Sequence, residues 1–240
     1  MQRSHIALTT LASACLALSA AAGPEWVEKN DAGESPRNAQ NTNGDFKQID
    51  GIRGTLGTFF EGGNDQVDMY YIRITDPDNF TLSTNEEFNR GESNFDTRLW
   101  LFEIGTFGRG GPLAFGLLAN DDVRGFEDGS SFLRPVSDDD SGARVREGGL
   151  YLIAISNGDN MPFSEGGDMF FFANPFEVSG PDGQGGNAPF LGWRGEGEGQ
   201  EGIREYRIGI TGATFANLPA PGAFVTLVAA GLIARGRRRN

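Results

Sequence analysis

The residues of this sequence best able to do chemistry are oxygen-bearing side chains at the ends of apolar runs. Asn120-Asp121-Asp122 follows the run Leu113–Ala119, and Asn64-Asp65-Gln66-Val67-Asp68 leads into Met69–Thr75. Calcium takes roughly six to eight oxygen ligands from flexible loops, so Asp65, Asp68, Asn120, Asp121 and Asp122 are the candidate ligands of a calcium ion. Asp and Asn also make good turns with no ion present, and the pattern alone fits both readings. No EF-hand is present: Asn41-x-Asn43-x-Asp45 lacks the following Gly and the terminal Glu. Glycoside hydrolysis, a lesser alternative, needs two carboxyl groups held roughly 5–9.5 Å apart. Here the carboxylates gather in turns and not across an aromatic-lined cleft. Trp193 is the candidate ligand-binding residue, a ring able to stack on sugars, although core and loop-anchor roles are commoner for Trp.

Composition removes most other chemistries. The chain has 240 residues, one His and one Cys. His5 and Cys15 both lie in Met1–Ala22, which reads as a secretory signal peptide. Arg3 forms its positive start, Ile6–Leu18 its apolar run, and Ala20-Ala21-Ala22 its cleavage site before Gly23. A lipoprotein box around Cys15 is the rival, but it leaves too short an apolar region ahead of the Cys. The chain from Gly23 onward therefore has neither His nor Cys. That excludes His-based triads, Cys–His pairs, imidazole zinc sites and disulfides. Without Arg3 and the four tail arginines, 15 of the 20 basic residues face 33 acids, a charge of −18. Such a surface repels nucleic acid and anionic lipid and favours divalent cations.

The elements that position these residues are strands. Thr97–Phe102 puts Leu99 and Leu101 on one face and Trp100 and Phe102 on the other, so both faces are covered. Gly108–Pro112 is a turn by composition, and Leu113–Ala119 returns beside the first strand. Leu150–Ser156 is a second strand apolar on both faces. Gly51–Thr58, Met69–Thr75, Phe80–Thr84, Asp168–Ala173 and Glu205–Thr211 are further strands. In Glu205–Thr211, Tyr206, Ile208 and Ile210 point inward, and Glu205, Arg207 and Thr211 outward. Residues 23–46 read as an irregular leading arm, 121–147 as an acidic loop region, and 175–202 as a Gly-rich surface loop pinned by Phe190, Leu191 and Trp193. The expectation is an all-β single domain over residues 47–215, a jelly roll or β-sandwich, between an N-terminal signal helix and a short C-terminal hydrophobic helix.

Seven motifs in order carry a resemblance. They are E-x-N-D at Glu28–Asp31, G-x-x-G-T-L at Gly51–Leu56, D-x-x-D-x-Y at Asp65–Tyr70, F-D-T-x-L-x-L-F at Phe95–Phe102, A-N-D-D at Ala119–Asp122, G-L-Y-x-x-A-I-S at Gly149–Ser156 and Y-x-I-x-I-T-G at Tyr206–Gly212. Together they resemble the bacterial pre-peptidase C-terminal domain. The resemblance implies an eight-to-nine-stranded jelly-roll sandwich that accompanies secreted proteins. No protease domain precedes it in this sequence, so the expected role is not that of an accessory to a catalytic domain in cis. The 175–202 insertion also departs from the family pattern.

The tail carries a second resemblance. Leu218-Pro219-Ala220-Pro221 precedes the apolar Gly222–Ala234 and then Arg235, Arg237, Arg238 and Arg239. This is similar to the PEP-CTERM sorting signal, with Ala220 in place of the usual Glu. The resemblance implies export through the secretory pathway and processing by an exosortase-type enzyme. It also implies transient contact with the inner membrane and residence on the cell surface or in the extracellular matrix of a Gram-negative-type bacterium. As a helix, Gly222–Ala234 spans about 20 Å, short of the ~30 Å hydrocarbon core, so the tail is expected to be transient. LPAPG departs from the sortase motif LPxTG by placing Pro221 where Thr is cleaved. The function expected is that of an exported, non-catalytic surface or matrix protein. The alternative is an exopolysaccharide-binding module.

Overall fold

The computed structural model describes residues 23–45, 48–58, 64–105, 111–126, 128–195 and 202–218. The expected signal segment, the Gly108–Gly110 part of the expected turn and the expected sorting tail from Pro219 onward lie outside these residues. The described chain is nearly all β, with one short 3₁₀ turn at Pro77–Asn79. Its strands of three residues or more are β1 (Glu25–Val27), β2 (Gly51–Thr58), β3 (Val67–Ile74), β4 (Thr81–Ser83), β5 (Thr97–Ile104) and β6 (Ala114–Asn120). They continue with β7 (Gly149–Asn157), β8 (Met161–Ser164), β9 (Gly192–Arg194), β10 (Ile203–Thr211) and β11 (Ala213–Phe215). Among the described residues no helix is long and apolar enough to cross a membrane.

Two mixed sheets face each other as a sandwich. One runs β1-β2-β10-β4 and ends on Phe132–Leu133, with Asn64–Asp65 added to β2 and Glu92–Ser93 to β10. The other runs from Val178–Ser179 through β6-β5-β7-β3 to β11, with Gln40–Asn41 added to β3. Between them lies the main core. β3 supplies Tyr70, Ile72 and Ile74, β5 supplies Leu99 and Leu101, β7 supplies Tyr151, Ile153 and Ile155, and β10 supplies Tyr206, Ile208 and Ile210. This is the alternation expected of half-buried strands, each turning every second residue inward.

The second sheet is covered on its other face as well, as its doubly apolar strands require. Trp100 and Phe102 of β5, Leu152 and Ala154 of β7 and Met69 and Tyr71 of β3 form a second core with Met169, Phe170 and Phe190. A small third sheet, Gly167–Asp168 with β8 and β9, lies over it. Trp193 of β9 packs 5.7 Å from Trp100, 6.2 Å from Phe102 and 5.4 Å from Phe190, centroid to centroid.

Several local expectations change. The leading arm is not wholly irregular: β1 pairs in parallel with β2, and Gln40–Asn41 in parallel with β3. Trp26 is its anchor, buried in the main core, whereas Val27 is exposed. Of Asp168–Ala173 only Asp168 is in a strand. Met169 instead accepts from Gly183 and donates to the Pro162 carbonyl, which fixes it against the glycine-rich segment. That segment is not a plain surface loop, since it contributes Val178–Ser179 and β9. Gly186 allows this packing, because a Cβ there would lie 1.7 Å from the Pro181 carbonyl oxygen. Leu191 does not pin it; its side chain is 61% exposed. Arg207 faces outward as expected but is buried: its guanidinium donates to Glu25 and to the carbonyls of Asn89, Arg90 and Asp50. The acidic loop is stitched down as well, with Asp138 accepting from the Val178 N–H and Asp139 from the Gly180 N–H.

The division between Phe190 and Leu191 is measurable. Phe190→Ala should cost about 3 kcal/mol in urea unfolding, as for other buried rings, whereas Leu191→Ser should stay within about 0.5 kcal/mol. Equal effects would contradict the assigned packing.

Candidate functional site

The five candidate calcium ligands do not converge. The structure divides them between two acidic clusters. In the first, Asp65 and Asp68 are joined by Asp31 of the leading arm, with carboxylate oxygens within 4.8 Å of one another. In the second, Asp121 and Asp122 are joined by Asp96, again within 4.8 Å.

Strand geometry builds the first cluster. Asp68 lies two residues before Tyr70 on β3, so it shares the inward face with Tyr70, Ile72 and Ile74 and has no exposed surface. Asp65 pairs with Gly57 of β2 and is 7% exposed. The arm comes over this end of the sandwich between the sheets. Glu28 accepts from the Thr55 N–H at 2.8 Å and from the Ala32 N–H at 3.1 Å. Asp31 accepts from the Gly33 N–H at 2.6 Å, and the Gly33 carbonyl accepts from the Met69 N–H. Gly54 makes room for this approach, because a Cβ there would stand 2.3 Å from the Tyr206 hydroxyl and 2.8 Å from Glu28 Oε2.

Beneath the arm, a chain of hydroxyls links the two sheets. Tyr70 of β3 and Tyr206 of β10 share a hydrogen bond of 2.6 Å, and the Tyr206 hydroxyl donates to Asp68 Oδ2 at 2.5 Å. The other Asp68 oxygen and both Asp65 oxygens are buried with no hydrogen-bond partner. Buried acceptors are rarely left so, because desolvation without a donor costs roughly 1–3 kcal/mol and more for a charge. Arg204 adds only a distant attraction to Asp65. Its guanidinium is stacked 5.1 Å from the Phe95 ring centre and its nitrogens make no hydrogen bond.

The electrostatics agree. Burial, then the charges of Asp31, Glu28 and Glu34, push the Asp65 carboxyl up to about 8, against a weaker opposing pull from the Val67 backbone N–H. Burial and the neighbouring Asp65 and Glu28 charges raise Asp68 well above the ordinary carboxylate range, against the hydrogen bond from Tyr206. Burial likewise raises Tyr70 and Tyr206. This is an oxygen-rich, electron-rich centre with open acceptor positions and no basic group bonded to it. It has the chemistry of a hard divalent cation site.

The second cluster already contains its counter-ion. Arg98 grips Asp121 with two bonds, 2.7 and 2.8 Å. Asn120 is spent on the fold: its amide donates to the carbonyls of Asp122 and Glu177 and accepts from the Phe132 N–H. Asp96 is pushed up to about 6 by burial and by Asp121 and Asp122. Asp122 lines a cleft with Arg124, Arg134 and Phe176.

Trp193 acts as an anchor for the third sheet. Its indole N–H donates to the Glu34 carbonyl at 2.8 Å and its ring is held among the aromatics of the second core. The candidates missed in the sequence are Asp31 and the tyrosine pair. An Asp and a Tyr in the inward register of β3, opposite a Tyr of β10, were the available signal. The processing residues Ala22 and Pro219 to Arg239 lie outside the described residues, and Gly23 opens them. No known protein family, curated protein or solved structure matches this chain.

Proposed function

We propose that this chain is an exported, non-catalytic β-sandwich of the cell surface or extracellular matrix, and that calcium at Asp31, Asp65 and Asp68 fixes its leading arm to the sandwich. The observation that carries the cation is the set of buried carboxylate oxygens on Asp65 and Asp68 without hydrogen-bond partners. Asp31 brings the arm into the same centre, so one ion joins the arm to the Asp65–Asp68 stretch. Export and surface residence are supported by the signal segment, the acidic composition and the likeness of the tail to a sorting signal.

Extracellular calcium modules bind at about 10⁻⁴–10⁻³ M, so ~10 mM calcium stabilises such a fold by about 1.4–2.7 kcal/mol. For a domain of this size that is a rise in melting temperature of about 3–10 °C. Asp65→Asn with Asp68→Asn should abolish the rise, whereas Asp122→Asn should leave it. Identical melting curves in calcium and in chelator would overturn the proposal.

The metal-free protein should also carry a pH signature. Asp65 titrates near 3.9 in an unfolded chain and at about 8 here. The folded state therefore holds its proton more tightly. The associated stability is complete below about pH 4 and is lost as pH rises through 8. In chelator the melting temperature should fall from pH 5 to pH 9, and saturating calcium should flatten that fall, because the ion binds the ionised form. A melting temperature in chelator that rises over this range would contradict the assignment.

The tail reading has its own measurement. Mass spectrometry of the protein from its native host should find a C-terminus near Leu218–Gly222. An intact Arg239-Asn240 end on the surface protein would refute processing.

A further inference from the structure

A second feature lies beside the end of β6, at the same end of the second sheet as Asp68 but across β7 and β5 from it. A cleft of about 340 Å³ opens beside Asp122, between the Asn174–Val178 turn and the loop carrying Arg134 and Asp138. Its volume is at the small end of the roughly 300–1,000 Å³ typical of ligand sites.

Both walls are fixed by hydrogen bonds. On one side Asn174 accepts from the Phe176 N–H and donates to Glu177, Glu177 accepts from the Ala173 N–H, and the Pro175 carbonyl accepts from the Asp122 N–H. On the other side Asp138 accepts from the Val178 N–H at 2.6 Å and is paired with Arg134 at 2.6 Å. This rigid frame nevertheless presents the Phe176 ring to solvent at 38% exposure, with the Arg124 guanidinium 5.5 Å from its centre.

Unspent polar capacity surrounds the ring. Among the described residues, the Asp122 carboxylate accepts no hydrogen bond, Arg124 makes no ion pair, and Arg134 bonds through Nη2 alone. The side chains are planar donors and acceptors, suited to paired contacts. Two cations, Arg124 and Arg134, face three carboxylates, Asp122, Asp138 and Glu177, and the chain as a whole is strongly acidic. A polyanion is therefore disfavoured, and a small neutral ligand with a flat apolar face and adjacent hydroxyls is favoured.

We propose that this cleft is a binding site for a neutral pyranose unit of a polysaccharide, with its C–H face on Phe176 and its vicinal hydroxyls between Asp122, Arg124 and Arg134. The site is distinct from Trp193 and from the Asp31–Asp65–Asp68 centre. It rests on the surface-protein reading only for where such a polysaccharide is met.

The test is titration of the purified protein with the hexasaccharides of β-1,4-glucose, α-1,4-glucose, β-1,3-glucose and β-1,4-mannose, with hexagalacturonate as the anionic arm. Binding to at least one neutral hexasaccharide is expected, reduced about tenfold or more by Phe176→Ala and by Arg124→Ala, about 1.4 kcal/mol each. Leu191→Ala should leave it unchanged. Melting temperatures of these surface variants should match that of the parent and show that they fold. No binding to any neutral hexasaccharide, binding undiminished in both cleft variants, or binding to hexagalacturonate alone would each overturn the proposal. A protein that melts higher in calcium but binds none of the neutral sugars leaves the calcium reading standing and ends this one.

Discussion

The structure depends most on how a carboxylate is accommodated in the core. Asp68 occupies an inward position that the pattern of β3 would otherwise give to an aliphatic residue, and it is fully buried. A buried carboxylate is tolerated if it is protonated, hydrogen-bonded or paired with a cation. Tyr206 supplies one hydrogen bond and is itself bonded to Tyr70. This short relay ties the two sheets together at a point where apolar contact alone would not fix their register. It leaves the second Asp68 oxygen and the whole of Asp65 unanswered. Asp31, Glu28 and Glu34 then add like charge to Asp65, so hydrogen bonding within the chain cannot neutralise the centre. Proton or cation uptake can.

The two sheets around this centre are covered differently. The β3-β7-β5-β6 sheet is packed on both faces, and Trp100 even satisfies its indole N–H inside the second core, on Ser156. Such a sheet has little freedom to adjust. The other sheet has one face on the core and on its other face the Asn89–Arg90 loop that Arg207 holds. Arg207 is a buried cation fully occupied by carbonyls and Glu25. It shows by contrast what a settled charge in this fold looks like.

Much of this was legible from residue order, and the failures have physical causes. Period-two alternation located β2, β3, β5, β6, β7 and β10 because burial of one or both faces writes itself directly into residue type. It missed β1 and Gln40–Asn41 because their parallel partners are distant and a single anchor, Trp26, carries the burial. It took the glycine-rich segment for surface because composition does not show where glycine serves close backbone packing. The site was half legible for a related reason. Asp65, Asp68, Asn120, Asp121 and Asp122 are alike as residue types, yet Asn120 and Asp121 are consumed by the fold and by Arg98, whereas Asp65 is not. What separates them is hydrogen-bond bookkeeping across strands far apart in sequence.

That difference also explains why the arm is the element to watch. Its hold on the sandwich is Trp26 and Ala32 in the main core, the Glu28 clamp, the Glu25 bond from Arg207 and parallel pairing of Glu25–Val27 and Gln40–Asn41. Asp31 brings the arm's own negative charge up to Asp65 and Asp68, so like charges oppose one another where the arm meets β3. With the charge neutralised the same residue becomes an attachment. Asp31 therefore links the seating of its turn to the charge state of Asp65 and Asp68, while Trp26 and Ala32 keep the rest of the arm in the main core.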